Sequence, residues 1–207
     1  MIGDINLALI LLAHLAASAS PGPATLAIAG TSMARGRPSG LLLAFGIVIG
    51  SLTWSLAAAF GLGAIMLSHG WLLEVIRYAG TAYLFFLAWK AARSAMAQKS
   101  IAPRSIGGLP SHLILRGAAL HITNPKSILF FGALYALGLP SDASHAQLAL
   151  VVIAVGIQSM VVFFGYALLF STSSITRAYI AGRRWFEGAF AVGFTAAGMK
   201  ILTTRLQ

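Results

Sequence analysis

Along this chain, long apolar runs alternate with short polar clusters. No Asp, Glu, Lys or Arg occurs from Ile5 to Ala34, from Pro38 up to Arg77 except Glu74, or from Ala143 to Thr176. A helix rises about 1.5 Å per residue and a bilayer core is about 30 Å thick, so about 20 apolar residues cross it. These stretches predict three spans, near 5–28, 40–67 and 147–170. Three more, near 72–92, 113–138 and 186–204, are interrupted or bracketed by Arg77 and Lys90, Arg116 and Lys126, and Glu187 and Lys200. The run from Ile5 to Leu15, followed by Ala17-Ser18-Ala19, has the outline of a signal peptide. However, Met1 to Asp4 carries no base and apolar residues continue past Pro23, so a retained first span is expected.

Composition supports the same class. Of 207 residues, 58% are hydrophobic and 9% charged, too few charges to solvate a soluble exterior. The expected fold is all-α: a polytopic membrane protein of six transmembrane helices. The net charge of +10 would suggest nucleic acid in a soluble protein, but cytoplasmic loops of membrane proteins are rich in Lys and Arg. Nucleic acid is therefore excluded as a partner. The connections after spans one, three and five hold Arg35 and Arg37, then Lys90, Arg93, Lys99, Arg104 and Arg116, then Arg177, Arg183 and Arg184. The other side holds only Arg77, Lys200 and Arg205, with Asp4, Glu74 and Asp142. Both termini are thus expected on the non-cytoplasmic side.

The two halves read alike. Arg77 to Lys90 and Glu187 to Lys200 bracket spans three and six with the same spacing of 13, and spans one and four each hold proline deep inside an apolar run. We read residues 1–95 and 113–207 as three-helix repeats joined by a Ser-, Gly- and Pro-rich linker at 96–112. Three is an odd number, so the second copy enters from the opposite face: an inverted-topology repeat, with a binding site expected at the midplane.

Proline is at home at the first position of a helix, after a Ser or Asn cap. Ser20-Pro21-Gly22-Pro23 and Asn124-Pro125-Lys126 therefore read as points where one half-helix stops and another starts, so that spans one and four are broken at proline. Each fresh N-terminus carries about half a positive charge and unpaired N–H groups, which suit a carboxylate. Gly22 would let a ligand approach the backbone. Lys126 lies ten residues beyond Arg116, hence about 15 Å into the core, and in a first turn where the dipole repels cations. No acid is expected inside the membrane to pair with it, since Glu74, Asp142 and Glu187 flank spans. A substrate carboxylate is the expected partner. His14 and His121 are the other ionisable groups within spans and the candidates for proton coupling. Gln158 and Tyr166 are candidates to line a cavity. Gly46-x-x-x-Gly50 is a close-packing motif. Trp71, Tyr83, Trp89 and Trp185 read as interfacial anchors. His69, His112 and His145 fall in loops without ligand spacing, so no metal or other cofactor is expected. There is no Walker-type loop for ATP.

In these residues the sequence resembles the LysE/RhtB family of bacterial amino-acid exporters. The likeness rests on Ser20-Pro21-Gly22-Pro23; Arg35-Gly36-Arg37 with Gly40, Gly46 and Gly50; Gly80-Thr81-Ala82-Tyr83-Leu84 and Trp89-Lys90; and Gly117, Thr123-Asn124-Pro125-Lys126 and Phe130-Phe131. It implies a non-enzymatic inner-membrane carrier that exports amino acids or their relatives, driven by the proton-motive force. Members often carry Asn or Asp directly after Pro-Gly-Pro, where this chain has Ala24. That departure, with the absence of a buried acid, points to a neutral or apolar zwitterion. The expected partners are this small molecule and the lipid bilayer, with a homodimer the candidate assembly. The competing reading is a non-transporting subunit that anchors a larger complex. An intramembrane enzyme is disfavoured because Ser20 and His14 are poorly matched in helical phase.

Overall fold

Hydroxyl and amide caps, proline and one left-handed glycine set the helix boundaries in the computed structural model, which describes residues 5–68, 70–97, 105–139 and 143–203. Asp4, His69, Lys99, Arg104, Asp142 and Arg205 lie outside the described residues, among which there is no strand. Asn6 opens α1 (Leu7–Ala19) by accepting the Leu9 N–H at 3.1 Å. Helix α2 (Pro23–Ser68) is divided at Gly36, whose φ of 79° and ψ of 173° only glycine adopts without strain. Its arms are 23–35 and 37–68. Pro38 falls in the first turn of the second arm, where its missing N–H costs nothing. Then come α3 (Gly70–Met96), a 3-10 turn (Pro110–His112), α4 (Leu113–Ile122) and α5 (Pro125–Gly138). Helix α6 (His145–Leu169) opens with a reciprocal Ser144–Gln147 capping box, and α7 (Ser173–Thr203) completes the order.

The first and fourth apolar stretches are each two helices, as the prolines predict. The last helix differs from expectation by starting near 173 rather than 186, so its basic segment with Arg177 and Arg184 is helical too. By length and apolarity alone, two stretches among the described residues qualify as membrane-crossing, Pro23–Gly61 and His145–Leu169. The others are shorter or carry charges.

Two apolar clusters form the interior. One gathers Ile10, Leu84, Phe131, Tyr135, Val155 and Phe194 from α1, α3, α5, α6 and α7. The other joins Ile28, Leu43, Ile47 and Phe163, from both arms of α2 and from α6. Apolar residues also face outward: on α6, Val151, Val155 and Phe163 are buried while Ile153, Ile157 and Val161 are exposed. A helix apolar on both faces belongs in apolar surroundings. Polar groups turn inward instead, with Ser51 and Ser159 buried and bonded to each other at 2.8 Å.

The glycine motif is a true contact. A Cβ at Gly46 would overlap the carbonyl oxygen of Ile114, one at Gly117 would overlap that of Leu43, and one at Gly50 would stand 2.8 Å from the Cβ of His121. The second arm of α2 and α4 thus meet backbone to backbone. The base-rich connections share one end. Arg35 donates to the Ile106 carbonyl at 3.1 Å, the Ile106 N–H donates to Thr31 at 3.0 Å, and Arg37 donates to Ser171 at 2.8 Å. The described part of the linker is therefore docked on the first arm of α2.

One expectation fails. Glu187 was read as flanking a span, yet it is 4% exposed and accepts a hydrogen bond from Ser94 at 3.0 Å. The early start of α7 places it against Ser94 of α3, so the chain does hold a buried acid.

Candidate functional site

The breaks are built differently. At the second, expectation and structure agree: Asn124 caps α5, its Oδ1 accepting the Lys126 N–H at 3.0 Å, and Pro125 takes the first position. The Ser127 N–H also bonds to Asn124, through its carbonyl at 2.9 Å. This helix start is largely self-satisfied, so the unpaired donors expected here are absent. At the first break Ser20 is not the cap of the following helix. It ends α1 instead, its N–H donating to Ala16 and its hydroxyl to Ala17. The next helix begins at Pro23 rather than Pro21. Its first backbone bond runs from Leu26 to Gly22 at 2.9 Å, and Thr25 Oγ1 accepts the Gly22 N–H at 2.9 Å. The N–H groups of Ala24 and Thr25 have no partner among the described residues.

The ammonium of Lys126 reaches across to the end of α1. It donates to the Ala17 carbonyl at 2.8 Å, the Ser20 carbonyl at 3.5 Å and the Ser20 hydroxyl. Its partners here are carbonyl and hydroxyl oxygens rather than a carboxylate. The last turn of α1 presents carbonyls equivalent to about half a negative charge, which hold the cation that the start of α5 repels. Gly22 lies beside the ammonium, and a Cβ there would stand 3.4 Å from Nζ, an ordinary contact. Tyr166 completes the cap by donating to the Ala19 carbonyl at 2.6 Å.

These groups surround a cleft of about 400 Å³, its open mouth included. Among the sequence-predicted residues, Ser20, Gly22, Asn124, Lys126, His14 and His121 line it. Pro21, Pro23, Gln158 and Tyr166 do not: the prolines set the chain path, Tyr166 is spent on α1, and Gln158 stands behind His14. Thr25, Ser127 and Phe163 line it without having been anticipated. A hydroxyl at the third position of a new helix is a capping signal and was legible for Thr25 and Ser127. Phe163 lies in an unbroken apolar run and gives no such signal.

The two histidines are in unlike states. His14 Nδ1 lies 2.7 Å from Gln158 Oε1, which only accepts, so Nδ1 carries the proton. Nε2 then accepts from Ser159 at 3.3 Å, and Ser51 donates to Ser159. Every polar atom of the His14 ring is engaged. His121 is 5% exposed, and neither of its ring nitrogens has a hydrogen-bond partner among the described residues. Its ring sits edgewise to Phe163 at 5.7 Å and Phe131 at 6.5 Å.

The cleft between the two helix breaks thus combines one lysine and several hydroxyl, amide and imidazole groups with a largely apolar wall that includes Phe130, Phe131 and Phe163. In comparison with known proteins, the family description "LysE type translocator" matches residues 15–205. The chain belongs to this family. Among its relatives are the threonine efflux proteins of Salmonella typhi and of Escherichia coli K12. Each is 24% identical over 199 residues, covering 95% of this chain and 97% of the relative. The leucine efflux protein of Enterobacter sp. strain 638 is 30% identical over 158 residues, 76% of this chain and 74% of its own. No solved structure matches significantly. As a LysE-type translocator the chain is a transport protein, and its cleft is the place to look for cargo.

Proposed function

We propose that this translocator is a secondary active exporter of neutral or apolar amino acids, or related zwitterions bearing a carboxylate. It works by alternating access and is driven by the proton-motive force across the bacterial inner membrane. The observation that carries this reading is the bridge from Lys126 to the end of α1, set in the cleft where both broken helices meet. Partial charges of a helix end offset the ammonium only in part, so the field in the cleft stays positive. A substrate carboxylate would dock against Lys126 and the open N–H groups of Ala24 and Thr25. The relatives named for threonine and leucine efflux support amino acids as the class.

Six spans arranged as two inverted repeats fit the packing. Helix α1 lies on α6 through the His14–Gln158 bond, while α4 lies on the second arm of α2 through Gly46 and Gly50. Span one thus stands to span five as span four stands to span two, which is the relation a two-fold axis in the membrane plane would produce. Span three correspondingly packs on span six. In this scheme the Lys126 bridge links the two repeats, and rocking them would break and remake it. Proton coupling is assigned to the two histidines, His14 and His121, which share the cleft.

The test is efflux from loaded proteoliposomes against a panel of amino acids, with and without an imposed pH gradient. Gradient-driven release of leucine, threonine or a similar neutral solute is expected. A strong preference for lysine or arginine, or no response to the gradient, overturns the reading.

A further inference from the structure

A zwitterion brings a cation as well as an anion into the site. The anion has Lys126 and an open helix start, but no carboxylate lines the cleft to meet the α-ammonium group. A buried cation needs acceptors. Most polar side chains of the lining are already committed: Asn124 Oδ1 to the Lys126 N–H, His14 to Gln158 and Ser159, Ser20 to Lys126 and Ala17. A ring-nitrogen acceptor is left over in His121, which is buried and lines the cleft, with both ring nitrogens unpartnered among the described residues. Its place is fixed by packing alone. Gly50 leaves room for its Cβ, and the rings of Phe131 and Phe163 hold it on either side.

Resting on the export reading above, we propose that neutral His121 accepts a hydrogen bond from the substrate's α-ammonium group, and that a proton competes for the same lone pair. A ring nitrogen holds either the ammonium N–H or a proton of its own, never both. Protonation would also set an imidazolium against the ammonium. The imidazole takes up one proton as one zwitterion leaves, and gives that proton back to water when the next zwitterion binds. No covalent bond other than N–H is made or broken. Mutually exclusive occupancy is what an antiporter requires. The groups around His121 leave this exchange to it: α1 presents His14, already hydrogen-bonded; α5 presents Lys126, whose ammonium is held by the end of α1; α6 and the second arm of α2 present Phe163 and Gly50, which do not titrate.

The experiment uses the full chain purified in detergent and calorimetric titration with three probes. These are leucine, its 2-hydroxy-acid analogue (hydroxyl in place of the ammonium) and 3-methylbutylamine (no carboxylate). A hydrogen bond to a charged group corresponds to about tenfold or more in affinity, so the wild type should prefer leucine over the hydroxy acid by at least that factor. His121→Phe should abolish this preference while retaining the preference over 3-methylbutylamine, which reads the carboxylate side. His121→Gln keeps an acceptor that cannot titrate. It should retain the preference for leucine, yet in proteoliposomes its efflux should no longer follow the pH gradient. An unchanged leucine to hydroxy-acid ratio in His121→Phe overturns the ammonium contact, and gradient-driven efflux by His121→Gln overturns the competition. If the wild type binds leucine and either result appears, only this proposal falls. If the wild type binds no amino acid at all, the export reading falls with it.

Discussion

Lys126 has two tasks that substitutions can separate. It ties the start of α5 to the end of α1, and its charge makes the cleft attractive to anions. Lys126→Met keeps the stem and removes both tasks, leaving the Ala17 and Ser20 carbonyls short of a donor. Hydrogen bonds from a charged group contribute about 1.5–3 kcal/mol. The variant should therefore unfold at lower temperature and lose export by more than about tenfold, while still inserting in the membrane. Near-wild-type flux in Lys126→Met would refute the assigned role. Ser20→Ala removes one acceptor and the hydroxyl that closes α1, so a smaller loss of about 1 kcal/mol is expected, with export reduced less than in Lys126→Met. That Lys126 lies deep in an apolar stretch was legible in the sequence, but its partners were not. Ala17 and Ser20 lie over a hundred residues away in sequence, and only the fold brings a helix end to the ammonium. The contrast between His14 and His121 was illegible for the same reason, since it depends on Gln158 and Ser159.

At the scale of elements, the breaks were the most legible feature, because proline acts on its own neighbourhood. A proline at 125 would clash with the carbonyl of His121 if α4 ran on, and α4 ends at Ile122. Pro125→Ala should let the two half-helices fuse. Hydrogen exchange should then show added protection of the amides from Thr123 to Lys126, and efflux should fall. Unchanged exchange there would show that Asn124 alone maintains the break. The first motif was misread by two residues because it offers two prolines, and local rules do not choose between them. The choice is made by Ser20, whose hydroxyl turns back to α1, and by Thr25, which accepts the Gly22 N–H. The Gly46 and Gly50 motif was visible, but its partner helix was not. Gly117→Val should force α4 off the second arm of α2, since even a Cβ overlaps the Leu43 carbonyl. Overpacking of this kind costs about 1–3 kcal/mol, to be read as a lower melting temperature in detergent.

At the scale of the molecule, the apolar exterior and the polar interior together constrain how the chain sits in a bilayer. The connections rich in Arg lie at one end, where Arg35 bonds to Ile106 and Arg37 to Ser171. Helix α6 runs 25 residues from His145 to Leu169, so its start lies at the far end of that helix from Ser171, and Leu148 near that start and Leu7 on α1 both pack against the first core cluster. If positive charge selects the cytoplasmic side, then Leu109, which is 63% exposed, faces the cytoplasm, while the exposed Ala146 at the start of α6 faces outward. The chain has no cysteine, so single cysteines report without background. In intact cells a membrane-impermeant maleimide should modify Ala146→Cys at once and Leu109→Cys only after permeabilisation. The reverse pattern would turn the carrier over and make the cleft's access states run the other way. Labelling of both from one side would be more damaging. It would place an even number of crossings between the two ends, and two three-span units could not then be related by inversion.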